Sequence, residues 1–369
     1  MAAHKTSAWP LAQAYAALIV YASLYPFDGW RDQGIAPWAF LASPWPRYWT
    51  RFDLAANVAG YAPLGFLLAL AGLRTTAVRA VGRTIGLAVL AGAALSFAME
   101  ALQTYLPARV PSNLDFALNV LGVAFGGVLA AGLERFGAID HWHRFRQRWF
   151  VDESRGALVL LALWPFALLF PASVPLGLGQ VFERLEIALT DWLMDTPFLE
   201  WLPVRDVELQ PLVPGSELVC VALGLVIPCL LGYSVMRSLP RRAAFAVATL
   251  LAGLGASALS AALSWGPANA WAWLSLPVRL GLVGGLVLSL LLVPVPRRGC
   301  AALVLLASVV HLSLLNQAPA SAYFSLTLQA WEQGRFIRFN GLAQWLGWLW
   351  PYAVIAYVVL RASRSERAT

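Results

Sequence analysis

Residues 84–105 read TIGLAVLAGAALSFAMEALQTY. No charge interrupts this run before Glu100, and its length matches the roughly 17–25 residues that a helix needs to cross hydrocarbon. Lipid cannot satisfy backbone N–H and C=O groups, so a crossing segment is either a helix or a strand of a closed barrel. The run lacks the dyad alternation of a barrel strand, so it reads as a helix. Similar runs recur at about 9–26, 54–73, 115–133, 156–171, 217–236, 243–263, 276–293, 300–317 and 344–361. Composition agrees. The 369 residues are 60% hydrophobic and 12% charged, with a mean hydropathy of +0.67, whereas soluble domains carry about 25% charged residues. The expected fold is an all-α, polytopic integral membrane bundle of about ten transmembrane helices.

The connecting segments set an expected orientation. Arg74, Arg79 and Arg83 fall between the second and third runs, and Arg135, Arg144, Arg146, Arg148 and Arg155 follow the fourth. Arg237, Arg241 and Arg242 follow the sixth, Arg297 and Arg298 the eighth, and Arg361, Arg364 and Arg367 end the chain. With ten crossings all of these lie on one side, and basic loops stay in the cytoplasm. The ends are therefore expected N-in and C-in. The net charge of +7 is explained by this scatter of loop arginines, and no nucleic-acid partner is expected. Cys220, Cys229 and Cys300 lack metal-ligand spacing and read as buried, inert thiols.

The longest opposite segment, 172–216, carries seven acidic residues against Arg184 and Arg205. Within it Val181, Leu185, Ala188, Leu189 and Trp192 recur at helical spacing, as in a short helix at the membrane interface or one packed on the protein's own outer surface. Trp30, Trp38, Trp45, Trp49, Trp192, Trp201, Trp265, Trp271, Trp273, Trp331 and Trp345 all fall in or beside the expected outer segments, where aromatic side chains sit at headgroup level. The expected organisation is a four-helix region at 1–135, a basic cytoplasmic connector at 136–155 and a six-helix region at 156–369.

Polar residues gather at one depth. Asp53 and Asn57 open the second run, Glu100 and Gln103 close the third, and Asp115 and Asn119 open the fourth, with Arg109 in the loop between the last two. Spacings of three or four place each pair on one helix face. Ionisable residues within membrane segments face the bundle interior and mark functional sites. Singly, Asp53 and Asp115 also suit helix capping, and Asn57 and Asn119 suit interhelical hydrogen bonding. Glu100 lies inside an apolar helix with no cap to make. Pro63 interrupts the second run, and Gly122 with Gly126 forms a small-xxx-small face for close packing. His311 reads as a satisfied core histidine, and Arg279 either joins the polar layer or snorkels.

The stretches RFDLAANVAGYAPLGFLLA (51–69) and MEALQTYLPARVPSNLDFALNVLGVAFGG (99–127) resemble the VanZ-like family of bacterial membrane proteins. The matching positions are Asp53, Asn57, Pro63, Gly65, Glu100, Gln103, Arg109, Asp115, Asn119, Gly122 and Gly126, within about residues 15–133. The resemblance implies an envelope role, through the namesake's link to teicoplanin resistance and the occurrence of such genes beside envelope polysaccharide systems. The six further runs and the long outer segment depart from a minimal member.

The expected function is thus that of a multi-pass protein of the bacterial cytoplasmic membrane with an extracytoplasmic polar pocket. Membrane lipid surrounds it, and the pocket acts on or binds a lipid-linked or cell-wall/polysaccharide substrate. Glu100 and Asp115 are the candidate catalytic acid and base. Arg109 is placed to hold a phosphate or carboxylate, and Asp53, Asn57, Gln103 and Asn119 complete the binding set. No cofactor or metal is expected. The alternative is a non-catalytic transport, binding or assembly partner in an envelope polysaccharide system.

Overall fold

The computed structural model describes residues 8–25, 27, 29–46, 49, 51–75, 81–107, 109–170, 172–202, 209–319 and 337–366. Among them the chain is helical, with one isolated bridge between Phe150 and Met236 and no strand. Seven helices are long and apolar enough to cross a membrane, and three apolar helices are shorter. Each of the ten runs read from the sequence overlaps one of these helices, giving the chain the make-up of a multi-pass membrane protein. The helices group into two compact units, residues 1–144 and 145–369.

The first unit holds α1 (Ala8–Leu24), α2 (Arg51–Thr75), α3 (Val81–Gln103) and α4 (Asn113–Arg135). α2 and α4 touch backbone to backbone. A Cβ built on Gly65 would collide with Val123 O, one on Gly122 with Val58 O, and one on Gly126 with Ala62 O. Glycine here brings the helices closer than any side chain permits, the usual device where lipid supplies no hydrophobic drive for helix association. At one end of the pair Arg74 and Glu134 form a 3.2 Å ion pair; the other end carries Asn57 and Asp115. Around it Ile19, Leu24, Tyr61, Leu64, Met99, Leu106 and Val123 form a buried core.

Gly137, at φ 64°, separates α4 from the amphipathic helix α5 (Ala138–Trp149). The boundary between the units falls within α5, and the second unit holds α6 (Arg155–Ala167), α7 (Phe182–Leu193), α8 (Pro214–Val235), α9 (Leu239–Trp265), α10 (Leu276–Leu291), α11 (Arg297–Leu315) and α12 (Ile337–Glu366). α8 is its axis. Every residue from Gly224 to Val235 is buried, as expected of a helix apolar on all sides.

Two features depart from the sequence reading. First, α6 stops at Ala167, and the chain then runs through the unit without helical structure, with Leu168, Phe170, Val174, Leu176 and Leu178 buried. The first part of the expected outer segment is therefore core. Its backbone is met by partners within the unit: Gly179 N–H donates to Gly347 O (2.8 Å), and Asn316 and Tyr352 donate to Gly179 O (3.2 and 3.1 Å). Irregular backbone among spans is tolerated where protein satisfies it. Second, Arg242 is not a loop charge. It is 4% exposed and donates to Val293 O (2.8 Å), Val295 O (2.6 Å) and Tyr233 O (2.9 Å). A cation suits this place, because carbonyls at helix C-termini lack intrahelical partners and carry the negative end of the dipole.

The helix expected near residues 181–192 is present as α7. None of its residues is buried, and Phe182, Leu185, Ile187 and Trp192 are exposed, while its start is tied to Asn316 and Arg184 lies over the Trp348 ring. Cys220, Cys229 and Cys300 are free and buried. His311 is buried, with Nδ1 3.1 Å from Cys220 O. Arg279 is exposed and donates to Leu274 O at 2.9 Å, so it stays in its own loop. Arg79, Arg205, Arg367 and Trp331 lie outside the described residues.

Candidate functional site

Helix polarity brings the polar residues together. α2 and α4 begin at the end where α3 finishes, so Asn57, Glu100, Gln103, Asp115 and Asn119 share one layer of the first unit. Ser112 is the N-cap of α4, its Oγ accepting from Asp115 N–H at 3.3 Å. Capping thus falls to Ser112, and the Asp115 carboxylate faces α2, where Oδ1 accepts from Asn57 Nδ2 at 2.8 Å. That bond joins the two helices that the glycines hold together.

Glu100 is 3% exposed, and its Oε2 accepts from Ser112 N–H at 2.9 Å. The carboxylate thereby meets the start of α4, where the helix dipole and unshared amides favour an anion. This answers how a carboxyl group sits inside an apolar helix. Gln103, also 3% exposed, donates from Nε2 to Ser23 O at 2.9 Å, tying α3 to the end of α1. Asn119 donates to Ser96 Oγ at 3.0 Å. Arg109 donates to Tyr25 O at 2.7 Å. Asp53 lies in the first turn of α2, but its side chain is outside the described residues.

Three acceptors in this layer stand out. The side-chain carbonyl oxygens of Gln103, Asn113 and Asn119 are buried and make no hydrogen bond among the described residues. Each amide spends its N–H on the protein and leaves its oxygen unmatched. Such an orphan costs about 1–3 kcal/mol. A donor from a bound water or ligand would offset it.

The segment between α1 and α2 completes the layer. Arg31 N–H donates to Tyr105 O (2.9 Å), Gln33 Nε2 to Thr104 O (2.6 Å) and Asn113 Nδ2 to Ser43 O (2.6 Å). Phe40 is buried, its ring centroid 5.7 Å from Phe97 and 6.2 Å from Phe116. The connector is therefore laid across the ends of α3 and α4, while Trp30, Trp38, Trp45 and Trp49 stay exposed. Sequence reasoning did not find Ser112, Ser96 or Phe40. The S-x-x-D pattern ahead of an apolar run was the available signal for Ser112; nothing local marks the other two.

No match was found among curated proteins or among solved structures. The family model described as VanZ/LLP1 matches residues 4–134, the span of α1–α4 and of every residue in this polar layer. Over its N-terminal region the chain therefore matches the VanZ/LLP1 family.

Proposed function

We propose that the first unit is an extracytoplasmic recognition site for a hydroxyl-bearing, lipid-linked precursor of the bacterial cell wall or envelope polysaccharide. In this reading the chain crosses the cytoplasmic membrane ten times with both ends inside, so the Glu100–Asp115 layer faces outward. The observation that carries it is the set of buried, unmatched carbonyl oxygens on Gln103, Asn113 and Asn119. They call for hydrogen-bond donors, which sugar hydroxyls and amides supply. Arg109 provides the cation for a phosphate or carboxylate on the same molecule. Glu100 and Asp115 are the groups placed to exchange protons if the bound molecule reacts, and Asn57 frames the α2 side. The VanZ family's link to glycopeptide resistance fits a substrate in the envelope.

A second reading has its own support. Gln103 and Arg109 both donate to backbone carbonyls at the end of α1, as a purely structural lock would. Complementation of a deletion strain separates the two, scored by glycopeptide susceptibility and by accumulation of lipid-linked intermediates. Glu100→Gln and Asp115→Asn are expected to fail to complement while the protein remains folded and inserted. Full complementation by both variants removes their chemical role, and loss of folded protein in each leaves the lock as the better account.

A further inference from the structure

Helix α5 carries a second interaction surface, unrelated to the polar layer of the first unit. Its sequence, AIDHWHRFRQRW, places Ala138, Trp142, Phe145 and Trp149 on one narrow stripe, spaced four, three and four residues apart. Trp142 and Phe145 are exposed on that stripe. The polar side carries Arg144, Gln147 and Arg148, and Arg146 stands beside the stripe, where a long side chain can reach back to headgroup depth.

The end of the helix is fixed. Arg237 N–H donates to Trp149 O at 3.0 Å and Val151 N–H to Val235 O at 2.9 Å, bracketing the Phe150–Met236 bridge. Arg241 donates to Arg148 O and lies over the Trp149 ring at 5.1 Å. The Phe145 ring is 4.9 Å from that of Trp149. The stripe therefore runs from the packed interior of the second unit at Trp149 outward to exposed aromatic rings at Phe145 and Trp142. At its other end, only Phe136 and Gly137 separate α5 from α4.

We infer that α5 lies in the plane of the membrane interface, its Trp142–Phe145 stripe in the acyl boundary and its arginines on anionic lipid headgroups. Position and charge both select lipid as the occupant. The helix is held within a turn or so of membrane-crossing segments, and an aromatic stripe beside basic residues is the pattern that binds anionic bilayer surfaces. Arg155 and Arg241 add positive charge at the same end of the second unit, while Arg237 is ion-paired with Asp152 at 3.4 Å.

The test uses the full chain in nanodiscs. All three native cysteines are buried, so a nitroxide can be placed by a single substitution, Trp142→Cys on the stripe or Gln147→Cys on the polar side. Ala138→Cys substitutes for the first if that variant misfolds. In discs containing phosphatidylglycerol, position 142 (or 138) should favour oxygen over a water-soluble nickel reagent, and position 147 should show the reverse. In parallel, native mass spectrometry counts phosphatidylglycerol retained over phosphatidylcholine. Each arginine near an anionic surface is worth about fivefold in partition. The triple change Arg144→Gln, Arg146→Gln, Arg148→Gln should therefore lower the preference by at least that factor. Equal water access at both labelled positions overturns the in-plane placement. An unchanged lipid preference in the triple variant, or recovery of α5 bound to a protein or nucleic acid in place of lipid, overturns the assigned partner.

Discussion

Replacing Gly126 with alanine tests the packing on which the polar layer depends. The new Cβ would stand 2.8 Å from Ala62 C and Phe66 N, and closer still to Ala62 O, where ordinary contact begins at 3.4 Å. Both sides of the contact are backbone, so no side chain can rotate away; Ala62 C and Phe66 N alone require about 0.6 Å of separation between α2 and α4, and the closer Ala62 O requires more. Overpacking of a rigid contact costs about 1–3 kcal/mol, and the upper end applies where two helix backbones meet. For a unit of this size that corresponds to a fall in midpoint of roughly 6–12 °C. The same displacement stretches the 2.8 Å Asn57–Asp115 bond toward the limit of hydrogen bonding. The assay is thermal unfolding of purified protein in detergent, followed by helical circular dichroism. Gly86→Ala in α3 is the control, since a Cβ there meets nothing within 4 Å and helix propensity favours alanine by about 1 kcal/mol. A Gly126→Ala midpoint within a degree or so of the parent would refute the close-contact argument.

Arg242→Met is expected to destabilise the second unit by about 3 kcal/mol or more, since it orphans carbonyls at Tyr233, Val293 and Val295; Arg242→Lys should fall between, and an unchanged unfolding midpoint in the methionine variant would refute the buried staple. A thiol reagent should leave Cys220, Cys229 and Cys300 unmodified in the folded protein and label all three after denaturation; fast labelling before denaturation contradicts their burial. Cysteines placed at Arg74 and at Gln33 should react from opposite sides of the membrane in intact cells, with position 33 outside; labelling of both from one side would break the proposed topology.

The helical class and the ten apolar runs were legible because crossing lipid imposes one length and one composition on every span. The polar layer was legible as spacing: pairs at three or four residues share a face whatever surrounds them. What the sequence hid is relational. Nothing local to Glu100 says that its carboxylate meets Ser112 N–H, and Phe40 is one aromatic residue in an aromatic-rich connector until its neighbours Phe97 and Phe116 are known. Arg242 misled for a physical reason. An arginine just after an apolar run reads as a solvated loop charge, yet unpaired carbonyls at helix ends are as good a partner for a guanidinium as water. Residues 172–181 misled similarly, because an irregular apolar segment satisfied by distant backbone looks like a loop when read alone, and residues 168–170 were read as the end of a span that stops at Ala167.

That buried segment bears on how the protein is made. α6 has 13 residues, about 20 Å of helix against about 30 Å of hydrocarbon, so it cannot complete a crossing unaided. The partners that finish the job arrive late in synthesis: Gln180 bonds to Ala318, 138 residues on, and Gly179 to Tyr352, 173 residues on. Residues 168–170 and 177 bond within their own stretch, and Leu169 O meets Ser260 of α9, but Gly179 has its Asn316, Gly347 and Tyr352 partners only once α11 and α12 are made. The Gly179 turn is therefore closed by the last two helices of the chain, so this part of the second unit is among the last to be completed.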